Sequence, residues 1–451
     1  MSLPDVPWRR DQAPRSTPTR QDGEVTRRAP FPGRPRTRPY VLAAVVLIAA
    51  AGIILGVLVQ QSTSNSPPPG ASASAAAASA SAAAASASAA AASASAAAAS
   101  ASAASARASS SAAVAHALAV LLRQGTPGTA TPGYWKKPSA ELEAAARGAD
   151  DARFRALGAL LVKDGFAGAI IDLGREMTAS WYNWSERRCP RAEPDCYALA
   201  WQHAVDAMRS VPGQHFRFLW TAYPAGAAAT YAWPGASYVD LVGTDIYDWY
   251  GGPDHTYPRT ASGQLDHDAR WQQILTEPGG LDWLAQLSRL TGKPAAIPEW
   301  GLEFRSFGGQ DDPAFITRML AWLHANHAIG VYWAVQHVAP SGAIPPGPLL
   351  AGLGASAGTR EGVNGLGMLL GGRLQYAEAF LPDQKPISDS AEQPTLAYWQ
   401  HAGYQLILGV PLVPLTVPSA AGPVKPGYSY HLADYPDALA AFRQGLSGAR
   451  K

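Results

Sequence analysis

One stretch of sequence decides the fold that we predict: residues 294–301 read Pro-Ala-Ala-Ile-Pro-Glu-Trp-Gly. A short apolar run that ends in a polar residue is typical of a buried parallel strand reaching the functional edge of a sheet. Four more such runs end in polar or aromatic residues, and helical patterns separate them. This alternation is typical of an α/β fold, and we predict a (β/α)8 barrel whose active face lies at the carboxyl ends of its strands.

The predicted elements alternate along residues 150–335. Helices are expected at 150–163, 197–210, 280–291 and 313–326, and strands at 169–173, 216–220, 238–247, 294–299 and 330–335.

The order of the strands presents a difficulty. Three strands should precede the one at 169–173, but residues 115–148 have room for one at most. Residues 362–371 and 403–414 both have the pattern of buried strands. Because the eighth strand of a closed barrel neighbours the first, we expect a circularly rearranged barrel in which residues 338–430 supply the first strands.

The amino-terminal region predicts a membrane anchor. Residues 1–39 are rich in Arg and Pro and should be disordered, whereas residues 40–60 carry no charge over about the 20 residues that a membrane helix needs. A cleaved signal peptide is the alternative, but its apolar core spans only about 7–15 residues. The basic flank should stay in the cytoplasm, so we expect a single-pass protein of the inner membrane with its barrel in the periplasm or outside the cell.

Between the anchor and the barrel lies a spacer, residues 61–114, made almost entirely of Ala and Ser. It has no large apolar residues that could form a strong coiled-coil seam, so we interpret it as a partly helical tether rather than an oligomerisation rod. The barrel is expected over 115–451, and the oligomeric state stays open.

The chain has two cysteines, Cys189 and Cys196, close together in a Pro-rich stretch. Export favours a disulfide between them, with two free thiols as the alternative. No His or Cys pair nearby has the spacing of a zinc site, and we expect neither a metal nor an organic cofactor. A net charge of +2 gives no indication of a nucleic-acid partner.

Two glutamates carry the predicted chemistry. Glu176 follows the strand at 169–173, Glu299 ends the strand at 294–299, and aromatic residues follow both. Two carboxyl groups facing one aromatic-lined cleft are the equipment of glycoside hydrolysis. The less specific alternatives are a solvated residue at a strand end for Glu176 and a turn cap for Glu299.

Residues 142–338 resemble the bacterial glycoside hydrolases of family 26, the family of β-mannanases and related endoglycanases. The resemblance depends on Glu176-Met177 with Trp181 and Trp184, on residues 239–248, and on Pro298-Glu299-Trp300-Gly301. Residues 377–413 resemble the amino-terminal part of that family and residues 435–443 its closing helix, which favours rearrangement over truncation.

The resemblance implies a retaining mechanism, with Glu176 as general acid/base, Glu299 as nucleophile, and Tyr247 donating a hydrogen bond to the nucleophile. Aromatic faces suit flat sugar rings, so the tryptophans near the strand ends are candidate platforms. The candidate substrate-binding residues are Tyr247, Asp245, Arg175, Trp181, Trp184, Trp220, Trp300 and Trp333.

The chain departs from the family at three positions near the acid: Asp172 replaces Arg, Arg175 replaces His or Trp, and Thr178 replaces Asn. A guanidinium directed at Glu176 would lower the pKa of that acid and oppose its role. Pairing of Arg175 with Asp172 is the alternative.

The sequence thus predicts a membrane-anchored retaining glycosidase that cleaves mannan, β-glucan or an exopolysaccharide. The alternative is an inactive polysaccharide-binding barrel that serves in polysaccharide assembly or export.

Overall fold

A computed structural model gives the fold. It describes residues 73–125, 136–179, 181–224, 229–249, 256–303, 307–333, 349–356, 363, 366–367, 370, 373–381, 399, 403–413 and 436–448. The predicted disordered tail and the predicted membrane helix at 40–60 lie outside these residues.

In the described part of the chain, nine parallel strands form one sheet. They are β1 (Ile170–Leu173), β2 (Arg217–Ala222), β3 (Leu241–Thr244), β4 (Ile246–Asp248), β5 (Ala295–Leu302), β6 (Ile329–Trp333), β7 (Leu349–Ser356), β8 (Arg373–Phe380) and β9 (Gln405–Val410).

The sheet closes on itself. Its order is β3-β2-β1-β9-β8-β7-β6-β5-β4, and β3 also pairs with β5. Since β3 and β4 are two halves of one strand interrupted at Asp245, the ring contains eight strand positions. The predicted (β/α)8 barrel is therefore present.

The last strand of the chain closes the barrel against the first. Ile170 to Leu173 of β1 pair with Ile407 to Val410 of β9, and β7 and β8 fill the ring between β6 and β9. Residues 349–410 thus supply three barrel strands, whereas the described residues between 136 and 169 form helices.

The described residues also form helices, three of which precede β1. They are α1 (Ala73–Leu122), α2 (Ala140–Ala145), α3 (Asp151–Lys163), α4 (Cys196–Arg209), α5 (His267–Thr276), α6 (Leu281–Thr291), α7 (Pro313–Ala325) and α8 (Pro436–Gly448).

The prediction of a strand at residues 362–371 is wrong. Its described residues, Val363, Leu366, Gly367 and Leu370, are helical and buried. Their spacing fits one face of a helix, which a short apolar run does not distinguish from a strand. The strand β8 that follows was missed because Gln375 and Glu378 interrupt its apolar pattern.

The chain divides into two compact units, Met1–Ala99 and Ser100–Lys451. In the first unit the described residues belong to α1, and residues 81–99 are exposed. Over Ser81–Leu122 this helix is long and apolar enough to cross a membrane, judged by length and composition alone. In the second unit the end of α1 is buried, where Trp283 donates a hydrogen bond to the Leu121 carbonyl (3.2 Å).

The interior of the barrel is built in layers. A small apolar cluster fills one layer: Ile170, Leu219, Leu241, Ala296, Ile329, Val331, Tyr376 and Ile407. Because side chains alternate along a strand, the residues two positions further on also point inward. That second layer contains Asp172, Thr221, Gly243, Glu378 and Gly409, so the barrel becomes polar towards the carboxyl ends of its strands.

Gly409 tests the packing of β9 against β8. A Cβ atom there would lie 2.3 Å from Cδ1 of Phe380, so Gly409→Ala forces the ring to move. We expect a loss of about 1–3 kcal/mol in the free energy of unfolding, measured by chemical denaturation. Gly168→Ala is the matched control, because a Cβ there meets nothing within 4 Å. Equal stabilities of the two variants would contradict this packing.

Candidate active site

The segment that leads to Glu176 is held by three aromatic side chains. Consecutive backbone carbonyls accept hydrogen bonds from them: Leu173 from Trp201 (3.0 Å), Gly174 from Tyr197 (3.0 Å) and Arg175 from Trp184 (2.8 Å). The chain cannot change direction here without breaking at least one of these buried bonds.

Glu176 has a left-handed backbone conformation, with φ of 52°. Such a conformation is uncommon for a residue other than Gly and is characteristic of positions that the surrounding structure forces. The amide of Glu176 donates to the Thr221 carbonyl at the end of β2 (2.9 Å). Thr178, where the family has Asn, also joins β2: its hydroxyl accepts from the Tyr223 amide (2.8 Å).

The environment of Glu176 favours a neutral carboxyl. Burial and the negative charge of Glu299 raise the pKa of Glu176 to about 8, while Arg175 and a hydrogen bond from Tyr182 oppose the rise. A carboxyl that keeps its proton near neutral pH can act as a general acid.

Glu299 lies towards the carboxyl end of β5, and an irregularity in this strand decides which way its side chain points. The pairing of β5 with β6 shifts register between Ile297 and Trp300. This shift turns Glu299 towards the interior and Trp300 towards the outer core, where Trp300 stacks on Phe442.

The described contacts of Glu299 include groups on Tyr247, Arg175 and Asp245. The Tyr247 hydroxyl donates to its Oε2 (2.7 Å), as the resemblance implies, and Nε of Arg175 lies 3.8 Å from its Oε1. The amide of Glu299 donates to Oδ1 of Asp245 (3.1 Å). A hydrogen-bond donor and a cation both favour the ionised form of a carboxyl group.

Arg175 forms its ion pair with Glu299, which neither sequence alternative anticipates. Its guanidinium carbon lies 4.5 Å from the centre of the Phe380 ring and 5.5 Å from that of Tyr182. Both partners of the ion pair are almost fully buried.

A second layer of carboxyl groups lies beneath the site. Asp172 accepts a hydrogen bond from the Thr221 hydroxyl (2.8 Å), and burial raises the pKa of Asp172 to about 7. Burial also raises the pKa of Asp245 and of Glu378 well above the usual range. Both carboxyl oxygens of Glu378 are buried and make no hydrogen bond among the described residues.

Sequence reasoning missed Glu378. The signal was a single carboxylate in the run Tyr-Ala-Glu-Ala-Phe at 376–380, which is otherwise apolar or aromatic.

Three of the predicted sugar platforms are core residues instead. Trp184, Trp220 and Trp300 are fully buried, so they cannot present a face to a substrate. Strand alternation turns Trp220 outward, where it packs edge-on against Trp233, and the irregularity in β5 turns Trp300 outward. Trp184 stacks on Tyr182 (ring centres 4.4 Å apart).

Trp181 has the exposure that a platform requires. It is 51 % exposed and packs edge-on against Tyr223, with ring centres 4.8 Å apart. For Trp333 the structure describes the backbone at the end of β6, and its side chain lies outside the described residues.

The loop after Glu176 is closed by a disulfide between Cys189 and Cys196. Cys196 is the first residue of α4, and the Tyr197 amide donates to Sγ of Cys189 (3.1 Å). The disulfide therefore ties this loop to the helix that supplies Tyr197 and Trp201. In the described part of the chain, no group of three or more His, Cys, Asp or Glu residues could hold a metal ion.

Comparison with known proteins agrees with the family resemblance seen in the sequence. Residues 168–258 match the model of Glycosyl hydrolase family 26, which confirms the family resemblance over this segment. The segment contains β1 to β4 and Glu176. A search of curated proteins gives no match.

Solved structures similar to this chain include three mannanases. A GH26 β-mannanase from Bacteroides ovatus is 19% identical (37% of this chain, 42% of that chain, TM-score 0.27). The catalytic domain of a GH26 endo-β-1,4-mannanase from Bacillus sp. JAMB-750 is 20% identical (35% and 39%, TM-score 0.25). A double mutant of a Cellulomonas fimi endo-β-1,4-mannanase is 16% identical (54% and 45%, TM-score 0.26). The chain thus covers less than half of each structure.

The raised pKa of Asp172 predicts a pH-dependent cost in stability. The folded protein holds this proton more tightly than the unfolded chain, so stability is lost as the pH rises from about 4 to about 7. Asp172→Asn mimics the protonated form, and we expect it to melt at a higher temperature than the wild type at pH 8, with a difference that shrinks towards pH 5. Glu193→Gln, at an exposed loop carboxylate, is the control; the same difference at both pH values would refute the prediction.

Proposed function

We propose that this protein is a retaining glycoside hydrolase that cleaves a β-linked polysaccharide of the mannan type. The observation that carries the proposal is the pair of glutamates at one end of the barrel in contrasting surroundings. Burial and a like charge favour the protonated form of Glu176, while Tyr247 and Arg175 favour the ionised form of Glu299. The reaction needs one carboxyl group that keeps its proton and acts as the acid, and one ionised carboxyl group that acts as the nucleophile.

In the first step Glu299 attacks the anomeric carbon while Glu176 gives its proton to the glycosidic oxygen. The bond from the anomeric carbon to that oxygen breaks, and a covalent glycosyl ester on Glu299 forms. In the second step Glu176, now ionised, takes a proton from water as the water oxygen attacks the same carbon. The ester bond breaks, and the sugar is released with its original configuration.

The position of Arg175 helps to decide between an enzyme and an inactive polysaccharide-binding barrel. An arginine paired with Glu176 would favour the binding protein, because it would hold the acid ionised. Nε of Arg175 lies 3.8 Å from Oε1 of Glu299, and burial together with the charge of Glu299 raises the pKa of Glu176 although Arg175 opposes the rise. This arrangement favours catalysis.

The substrate class is inferred from the match of residues 168–258 to glycosyl hydrolase family 26. The predicted anchor at 40–60 would place the barrel next to polymer at the outer face of the inner membrane. A mannan, a β-glucan or an exopolysaccharide made by the same cell fits that location.

Replacing either catalytic carboxyl should stop turnover. We expect Glu176→Gln and Glu299→Gln to reduce the release of reducing sugar from mannan by at least about 10²-fold while the melting temperature stays close to that of the wild type. Lichenan, β-1,3-xylan and the exopolysaccharide of the host are assayed in parallel to identify the polymer. Wild-type activity in either variant would refute the assignment, and a folded wild type inactive on all four polymers would favour the binding protein.

The pH dependence of kcat/KM should have an alkaline limb set by Glu176. The acid works only while protonated, so activity falls as the pH rises through about 8. Initial rates on soluble mannan between pH 4 and pH 10 measure this limb. An alkaline limb well below pH 6 would show that the carboxyl is ionised near neutral pH.

Trp181 is the exposed aromatic beside the acid, so its loss should weaken substrate binding. We expect Trp181→Ala to raise KM several-fold with a smaller change in kcat, because the ring contributes contact area without taking part in a chemical step. Trp181→Phe keeps an aromatic face and should recover most of the affinity. An unchanged KM in Trp181→Ala would place the substrate elsewhere.

A further inference from the structure

Each carboxyl oxygen of Glu299 faces a different group. Oε2 accepts a hydrogen bond from the Tyr247 hydroxyl at 2.7 Å, and Oε1 faces Nε of Arg175 at 3.8 Å. Tyr247 lies on β4 beside β5, whereas Arg175 follows β1. Contacts from these two separate parts of the barrel restrict rotation of the Glu299 carboxylate more than either contact could alone.

We propose that Arg175 is the positioning residue that keeps Glu299 ionised and oriented for attack. The proposal rests on the function proposed above and names a residue that acts through the nucleophile rather than on the substrate. It also gives a role to one of the charges by which this chain departs from the family near the acid.

The ion pair is buried, so Arg175 has a strong influence on the charge state of Glu299. The side chains of Arg175 and Glu299 are only 10% and 9% exposed. Exposed pairs contribute little because water screens them, whereas removal of one partner of a buried pair leaves an uncompensated charge. Loss of Arg175 should therefore change the state of Glu299 measurably.

Two aromatic rings hold the guanidinium in place. The guanidinium carbon of Arg175 lies 4.5 Å from the centre of the Phe380 ring and 5.5 Å from that of the Tyr182 ring. At these distances a cation is attracted to an aromatic ring. The backbone of Arg175 is held as well, since its carbonyl accepts from Trp184. A long, flexible side chain is thereby restricted near one position, with little entropy left to lose when Glu299 pairs with it.

Phe380 comes from the carboxyl-terminal part of the chain. It is the last residue of β8, and its ring lies over Gly409 of β9, where a Cβ atom would clash with it. The strands that complete the barrel thus also support the arginine that contacts the nucleophile. Phe380→Leu, which removes the ring but keeps an apolar side chain, tests this support.

The decisive experiment separates help to the nucleophile from help to the acid. A 2,4-dinitrophenyl leaving group needs no protonation, so 2,4-dinitrophenyl β-mannobioside bypasses the acid, whereas mannan requires it. We expect Arg175→Gln to lower kcat/KM by about 10²-fold on both substrates. Glu176→Gln should be impaired on mannan and largely recovered on the activated substrate.

Two further variants sharpen the result. Arg175→Lys keeps the charge and should recover part of the loss, and Phe380→Leu should show a smaller loss of the same kind. Arg209→Gln is the matched control, because Arg209 pairs with Asp240 (3.0 Å) and lies over Phe218 (5.2 Å) at the opposite end of the barrel. It should keep wild-type kcat/KM on both substrates.

A titration makes the test independent of turnover. The pKa of Glu299 can be measured by carboxyl ¹³C NMR of protein labelled at Glu, with the Glu299→Gln variant used to assign the signal. We expect this pKa to rise in Arg175→Gln, because the cation that favours the charged form is gone. The acid limb of kcat/KM should move to higher pH with it. An unchanged titration, or recovery of Arg175→Gln on the activated substrate, would overturn the proposal.

The two proposals fail in different ways. A wild type inactive on the polysaccharides and on the aryl glycoside overturns the glycosidase, and the titration then still decides whether Arg175 holds Glu299 ionised. An active wild type with an equally active Arg175→Gln variant overturns the positioning role alone.

Discussion

The pairing between the first and last barrel strands is the constraint on which the rest of the structure depends. Residues 170–173 and 407–410 are adjacent in the sheet although more than 230 positions separate them in the sequence. Without this pairing both strands would be open edges, with their backbone amides and carbonyls unpaired. With it, Asp172 lies beside Gly409, and the space above Gly409 admits the Phe380 ring that contacts Arg175.

Among the described residues, the interior of the barrel combines several buried carboxyl groups with few cations. Arg175 opposes the rise in the pKa of Asp172, Glu176 and Glu378, while burial and neighbouring carboxylates raise it. Where cations are scarce, most of these groups are more stable with a proton than without one. Arg175 forms an ion pair with Glu299, and a cation in that position favours the ionised form of the carboxyl group.

The tryptophans show where pattern reasoning fails. Aromatic residues near strand ends suggested sugar platforms, but the direction of a side chain depends on strand register and on the irregularity in β5. Trp300 follows that irregularity and points away from the site, whereas Glu299 immediately before it points inward. Such a one-residue shift reverses the faces of a strand and leaves no clear trace in local composition.

The sequence by itself determined the alternation of helices and strands, the glutamates at two strand ends and the nearby cysteines that form a disulfide, because periodicity and local spacing carry those features. It also showed that strands were missing before the first glutamate. Only the tertiary structure decided that β9 closes the barrel against β1, that Arg175 forms an ion pair with Glu299, and that Glu378 lies beneath the site. These outcomes depend on contacts between residues far apart in the chain, and the geometry of a closed barrel sets those contacts.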